Sequence, residues 1–166
     1  MEANEPKKEQ NTEEMDVMKQ FMELLGQQGM KEQSQDFMEV LQYIAGMQLQ
    51  LSAMVDELQG VRKQLERMQE SQPKAAESQL LDKVSYLQEK VSSLAERLSE
   101  LKDHLIDTAA QAVTAFKEKG REEMNRVLQK GISGVQSVLS GCREKMVGVL
   151  TSYETVSYTH LRAHET

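Results

Sequence analysis

From Phe37 onward the chain places apolar residues at alternating steps of three and four: Phe37, Val40, Ile44, Met47, Leu51, Met54, Leu58, Val61, Leu65 and Met68. No polar residue interrupts the run. A 3.5-residue period keeps one stripe of a helix turned toward one partner, so the stretch reads as a coiled-coil seam. Leu41, Tyr43 and Val55 flank the seam and widen its apolar face, which favours a bundle over a lone two-stranded zipper. Ser71-Gln72-Pro73-Lys74 breaks this helix, because proline lacks an N–H and restricts the residue before it. A second seam follows: Leu80, Val84, Leu87, Val91, Leu94, Leu98, Leu101 and Leu105. The pattern then slips to Ala109, Val113 and Phe116, a stutter that should turn the apolar face. Gly120 offers a hinge or cap beyond it.

Less regular segments flank the two seams. Residues 1–11 are polar and are expected to be disordered. Residues 12–29 read as a short amphipathic helix carrying Met15, Met18, Phe21, Met22 and Leu25, closed by Gly26 and Gly29. Residues 121–154 carry Met124, Leu128, Ile132, Val135, Leu139, Cys142, Met146, Val149 and Tyr153 at helical spacing. Gly131, Gly134, Gly141 and Gly148 weaken that helix by ~1 kcal/mol each relative to alanine. Close packing, a partner or further chain would have to hold it.

The seams match in length, so each can cover the other. Folding back about Pro73 would pair positions summing to about 148, such as Leu65 with Val84 and Leu51 with Leu98. Valine at a and leucine at d lean toward a parallel dimer, but such a dimer would set Arg97 against Lys102 of its partner. On one flank of the second seam stand Lys83, Lys90, Arg97 and His104, and on the other Gln88, Ala95 and Lys102. The expected fold is all-α: a long antiparallel coiled-coil hairpin over residues 34–119 with its break near 71–76. A short N-terminal helix and a glycine-containing C-terminal helix flank it.

Composition narrows the function. Aromatic residues are 4% of the 166 and tryptophan is absent, which excludes an aromatic-rich sandwich core or a base-stacking platform. The formal charge is −7, and residues 1–36 alone hold nine acidic and four basic side chains. No stretch has the dense positive field that phosphate-backbone binding needs, so nucleic acid is not an expected partner. Cys142 is the one cysteine and has no internal disulfide partner. The N-terminus lacks the apolar core of a signal peptide. The longest uncharged run, Val40 to Val55, is 16 residues with three glutamines, too short and polar to span a bilayer. A cytoplasmic location is the expectation.

The final string VSYTHLRAHET, Val156 to Thr166, resembles the translation of a transposase-type sequencing adapter at all eleven positions. That resemblance implies that residues 155–166 are not native and that the chain is a truncated metagenomic fragment whose own C-terminal helix is incomplete. His160 and His164, at i and i+4, would otherwise suggest a metal pair.

Residues 34–65, SQDFMEVLQYIAGMQLQLSAMVDELQGVRKQL, and residues 107–120, DTAAQAVTAFKEKG, resemble two blocks of a family of small helical proteins of unassigned activity. Its members are encoded on bacterial mobile and conjugative elements. With the intervening heptads the resemblance covers residues 15–130. It implies a helical fold, a bacterial origin and a mobile-element setting, and it supplies no catalytic residues.

The chemistry-bearing side chains do not assemble into a reaction centre. His104 sits beside a seam and Cys142 on an apolar stripe, with no third group to orient them as a dyad. Asp56-Glu57 and Glu122-Glu123 fall on exposed faces. Lys117, Lys119, Arg121, Arg126 and Lys130 are interleaved with glutamates as on a solvated face. The glycines from 131 to 148 follow no strand and form no phosphate loop. No enzyme activity, cofactor or metal is expected. The reading is a structural or interaction protein that binds itself or a partner helix through the seams. Leu41, Val55, Leu81 and Ile106 are left as outer edges, and Met15, Met18, Met22 and Met38 as adaptable contacts. The alternative is reversible contact with a membrane or other hydrophobic surface through the C-terminal helix.

Overall fold

Two glycines divide the helical sequence where an L-residue would be strained. Gly29 has φ 69° and Gly120 has φ 95°. At Gly29 the chain closes a helix with paired backbone bonds: Gly29 N–H donates to Gly26 (3.2 Å) and Met30 N–H to Leu25 (2.9 Å). Met30 and Leu25 are both buried, supplying the apolar contact that accompanies such a terminus. Gly120 N–H donates to Phe116 at 2.9 Å, while the Gly120 carbonyl accepts from Met124 at 3.2 Å. One residue thus ends one helix and starts the next. Gly120→Ala should cost about 1–2 kcal/mol, since left-handed backbone penalises a Cβ; a chemical melt no less stable than wild type would contradict this role.

The computed structural model describes residues 5–71 and 74–165. Among them are four helices and no strand: α1 (Glu5–Gln27), α2 (Lys31–Ser71), α3 (Ala75–Lys119) and α4 (Arg121–Glu165). The chain is all-α. Gln72 and Pro73, at the expected break, lie outside the described residues, as do residues 1–4. Helix α1 begins at Glu5, so the expectation of disorder through residue 11 and of a helix over 12–29 is corrected. Pro6 stands in the first turn, where its missing N–H is tolerated, and good helix formers follow.

The chain divides into two compact units, and α2, α3 and α4 each contribute to both. Unit 1 comprises residues 1–44 and 100–139. Its core holds Phe21, Leu25, Phe37, Ile44, Leu105, Met124, Leu128 and Val135, all fully buried. The Phe21 and Phe37 rings meet at 4.8 Å and 59°, fixing α1 against α2. On α3 the buried positions are Leu101, Leu105, Thr108, Ala109 and Ala112, while Val113 and Phe116 are half-buried. The expected stutter is corrected in part: Ala109 is buried as expected, but Val113 and Phe116 are not, and the stripe also keeps its phase through the small residues Thr108 and Ala112. These let α4 approach closely. A Cβ on Gly131 would lie 3.0 Å from Thr108 Cβ and nearer still to its methyl and hydroxyl.

Unit 2 comprises residues 45–99 and 140–166. Gln48 Nε2 donates to Ser99 Oγ (3.4 Å) and Arg62 Nη1 to Gln88 Oε1 (3.0 Å), partners whose numbers sum to 147 and 150. This is an antiparallel α2–α3 hairpin in the expected register. Helix α4 joins as a third, parallel to α2: Tyr153 donates to Glu57, and His160 Nε2 lies 2.7 Å from Gln64 Oε1, both pairs 96 residues apart. The C-terminal helix does not stop at residue 154. Val149, Tyr153, Val156 and His160 keep the 4,3,4 spacing, and Val156 and His160 are buried.

A candidate interaction surface

Heptad spacing turns the seam residues inward in both units. Of the eighteen, Phe37, Val40, Ile44, Met47, Leu51, Met54, Leu58 and Leu65 are buried on α2. On α3, Leu80, Val84, Leu87, Val91, Leu94, Leu98, Leu101 and Leu105 are buried. Val61 and Met68 are half-buried. On α4 the stripe of Ile132, Val135, Leu139, Cys142, Met146 and Val149 is also interior. The apolar faces expected to drive association are thus occupied within one chain.

The outward side chains are the surface left for a partner. Leu41, Leu81 and Ile106 are half-buried and Val55 is at the edge of exposure. Met15 is exposed, whereas Met18, Met22 and Met38 are half-buried. Other off-seam residues are exposed to a degree similar to Met15: Leu49 is 74% exposed, Tyr86 61% and Val147 64%. Sequence reasoning passes over these three, because single apolar residues outside a period give no signal.

In unit 2 a groove of about 330 Å³ runs between α3 and α4. Leu87, Leu94 and Val149 are buried at its base, and Lys90, Arg97 and Lys145 stand exposed along it. Lys90 Nζ lies 5.4 Å from the centre of the Tyr86 ring. Gly148 lines the groove and leaves open space where a side chain would be. The groove is shallow and carries no carboxylate.

The titratable groups are structural in placement. Cys142 is buried and unpaired by disulfide. His104 is exposed, and its carbonyl accepts the Thr108 hydroxyl at 2.8 Å. His160 is buried beside Gln64, while the side chain of His164 lies outside the described residues. Glu122 and Glu123 occupy the first turn of α4, where they complement its dipole. Among the described residues no group of three or more His, Cys, Asp or Glu is placed to hold a metal.

Tyr153 is a strongly perturbed group. Burial, then its hydrogen bond to Glu57 and the carboxylate's charge, push its hydroxyl up to about 12. All three causes favour the neutral phenol. A folded-state value above the unfolded one gives stability that is whole below about pH 10 and lost as pH rises through about 12. Tyr153→Phe should lack this component, so the wild-type advantage in melting temperature should shrink between those pH values. A constant difference from pH 9 to 12 would show that the Tyr153 hydroxyl is not held above its ordinary range.

Residues 14–162 match the model of a family of unknown function, DUF6674. No curated protein and no solved structure matches the chain. No helix among the described residues is long and apolar enough to cross a membrane.

Proposed function

The chain belongs to that family of unknown function, and from this premise we propose a non-enzymatic helical interaction protein that binds protein partners through outer helix faces. The observation that carries the proposal is the closure of both seams inside one chain, with large apolar side chains such as Leu49 and Val147 left outside. Association through the seams themselves would require the units to open. A bacterial mobile-element setting, implied by the sequence resemblance, and a cytoplasmic location, expected from the single cysteine and the polar N-terminus, accompany this reading.

Site-specific photo-cross-linking tests the reading in cells of the native host. A photoreactive residue at Leu49 or Val147 should give discrete protein adducts, and one at buried Leu51 should give none beyond the chain itself. Adduct-free chain from every exposed apolar position would overturn the proposal. Membrane contact through α4 would have to release Ile132, Val135, Leu139, Met146 and Val149 from the interior. Flotation of the full chain with liposomes would favour that alternative.

We also propose that the tail over residues 155–166, and the string from Val156 onward above all, is adapter-derived. Of these, Val156 and His160 are buried. Removing a buried valine side chain costs about 1.5–3 kcal/mol at most, and a terminal turn can fray around the loss. A chain ending at Thr155 should therefore keep its cooperative melt within several degrees. Collapse of unit 2 on truncation would show that the segment is integral to the fold.

A further inference from the structure

Resting on the reading of an interaction protein, we propose that the α3–α4 groove of unit 2 binds an acidic amphipathic helix of a partner protein. Three cations from two helices, Lys90, Arg97 and Lys145, border one apolar floor. Among the described residues none of these three has a carboxylate within salt-bridge distance. A groove so bordered attracts the opposite charge.

The spacing selects a helix as occupant. Lys90 and Arg97 are seven residues apart on α3, and Lys83, seven residues earlier, borders the adjoining cavity that shares Tyr86 and Leu87. Three cations at heptad spacing extend over roughly 21 Å at ~1.5 Å per residue. A small anion would need one of them. A helix with glutamates at heptad spacing meets all three, which is how flanking charges choose a partner helix. Asp82, bordering the adjoining cavity, is the single carboxylate along this track.

The opposite bank permits the approach. Gly148 lines the groove, Gly141 lies seven residues earlier on the same helical stripe, and neither has an atom within 4 Å of where a Cβ would stand. Unit 1 packs parts of four helices, α1 included, whereas unit 2 packs parts of three. A partner helix would give unit 2 its fourth.

The test uses the full chain and two labelled 21-residue helical peptides with one leucine seam, one flanked by glutamates at heptad spacing and the other by lysines. Fluorescence anisotropy should show the glutamate peptide binding at least tenfold tighter, with affinity falling as salt rises. Lys90→Glu/Arg97→Glu should reverse the preference. Gly148→Leu should fill the groove and abolish binding of the glutamate peptide while leaving the helical melt intact, since that position faces open space. Equal binding of the two peptides, or binding indifferent to Gly148→Leu, would overturn the proposal. So would flotation with anionic phospholipid vesicles that depends on Lys90 and Arg97 when the peptide does not bind. Leu49 lies on α2, outside the groove, so a failure here leaves cross-linking from Leu49 as an independent test of the interaction reading.

Discussion

Leu51→Asp is expected to abolish the cooperative melt of unit 2, while Leu49→Asp, two residues away, is expected to change stability by less than ~0.5 kcal/mol. Leu51 is 1% exposed and Leu49 74%. Truncating a buried leucine costs about 2–5 kcal/mol from lost transfer energy and the cavity. A carboxylate left there without a partner adds several more. The sum approaches the whole stability of an ordinary domain, roughly 5–15 kcal/mol. Leu94→Asp, from the facing seam at 3% exposure, should behave like Leu51→Asp. Circular dichroism at 222 nm through a thermal ramp reads all three. Equal melting of the Leu49 and Leu51 variants would mean that the seam does not face the interior.

Glycines on α4 should answer alanine with opposite signs. Gly134, Gly141 and Gly148 have no atom within 4 Å of a would-be Cβ, so alanine there should stabilise by about 0.5–1 kcal/mol through helix propensity alone. Gly131→Ala meets the β-branched side chain of buried Thr108, which is held by its hydrogen bond to the His104 carbonyl. Overpacking of this kind costs about 1–3 kcal/mol and outweighs the propensity gain. Thr108→Ala removes the methyl and hydroxyl, so the double variant should recover part of the loss. Denaturant midpoints of these variants distinguish the two effects; stabilisation by Gly131→Ala would show that α3 and α4 do not approach there.

These contrasts mark what is legible in the sequence. The heptad phase distinguishes Leu51 from Leu49 by spacing alone, because Leu49 falls off the stripe that Leu51 occupies. The hairpin register follows from equal seam lengths, and Gly29 and Gly120 end helices where expected, since only glycine accepts positive φ at little cost. The expected stutter arises because Thr108 and Ala112 carry too little apolar surface to register in a pattern of large side chains. Their smallness is what admits Gly131. The helix over 121–154 is legible from its spacing, but its place as the third helix of unit 2 is not: glycines lower intrinsic propensity, and the burial of Cys142, Met146 and Val149 against the hairpin shows what offsets them.

The candidate surface is less legible than the fold. Lys83, Lys90 and Arg97 are visible as a charged flank of a seam, yet a flank becomes the border of a groove only when α4 lies alongside. Lys145 and Gly148 join them from more than forty residues away. The basic cluster from Lys117 to Lys130 looks denser in sequence, but it alternates with Glu118, Glu122 and Glu123. Charge density along a chain is a poor guide to charge density on one face.

If both seams close within one chain, the mass of the 166-residue chain in solution must show it. Light scattering over a hundredfold range of concentration should give the 18.9 kDa monomer throughout, with a melting temperature independent of concentration. A doubled or larger mass that persists on dilution and is unchanged by Leu49→Asp and Val147→Asp, accompanied by a melt that rises with concentration, would contradict closure within the chain and make the seams themselves the interface between copies.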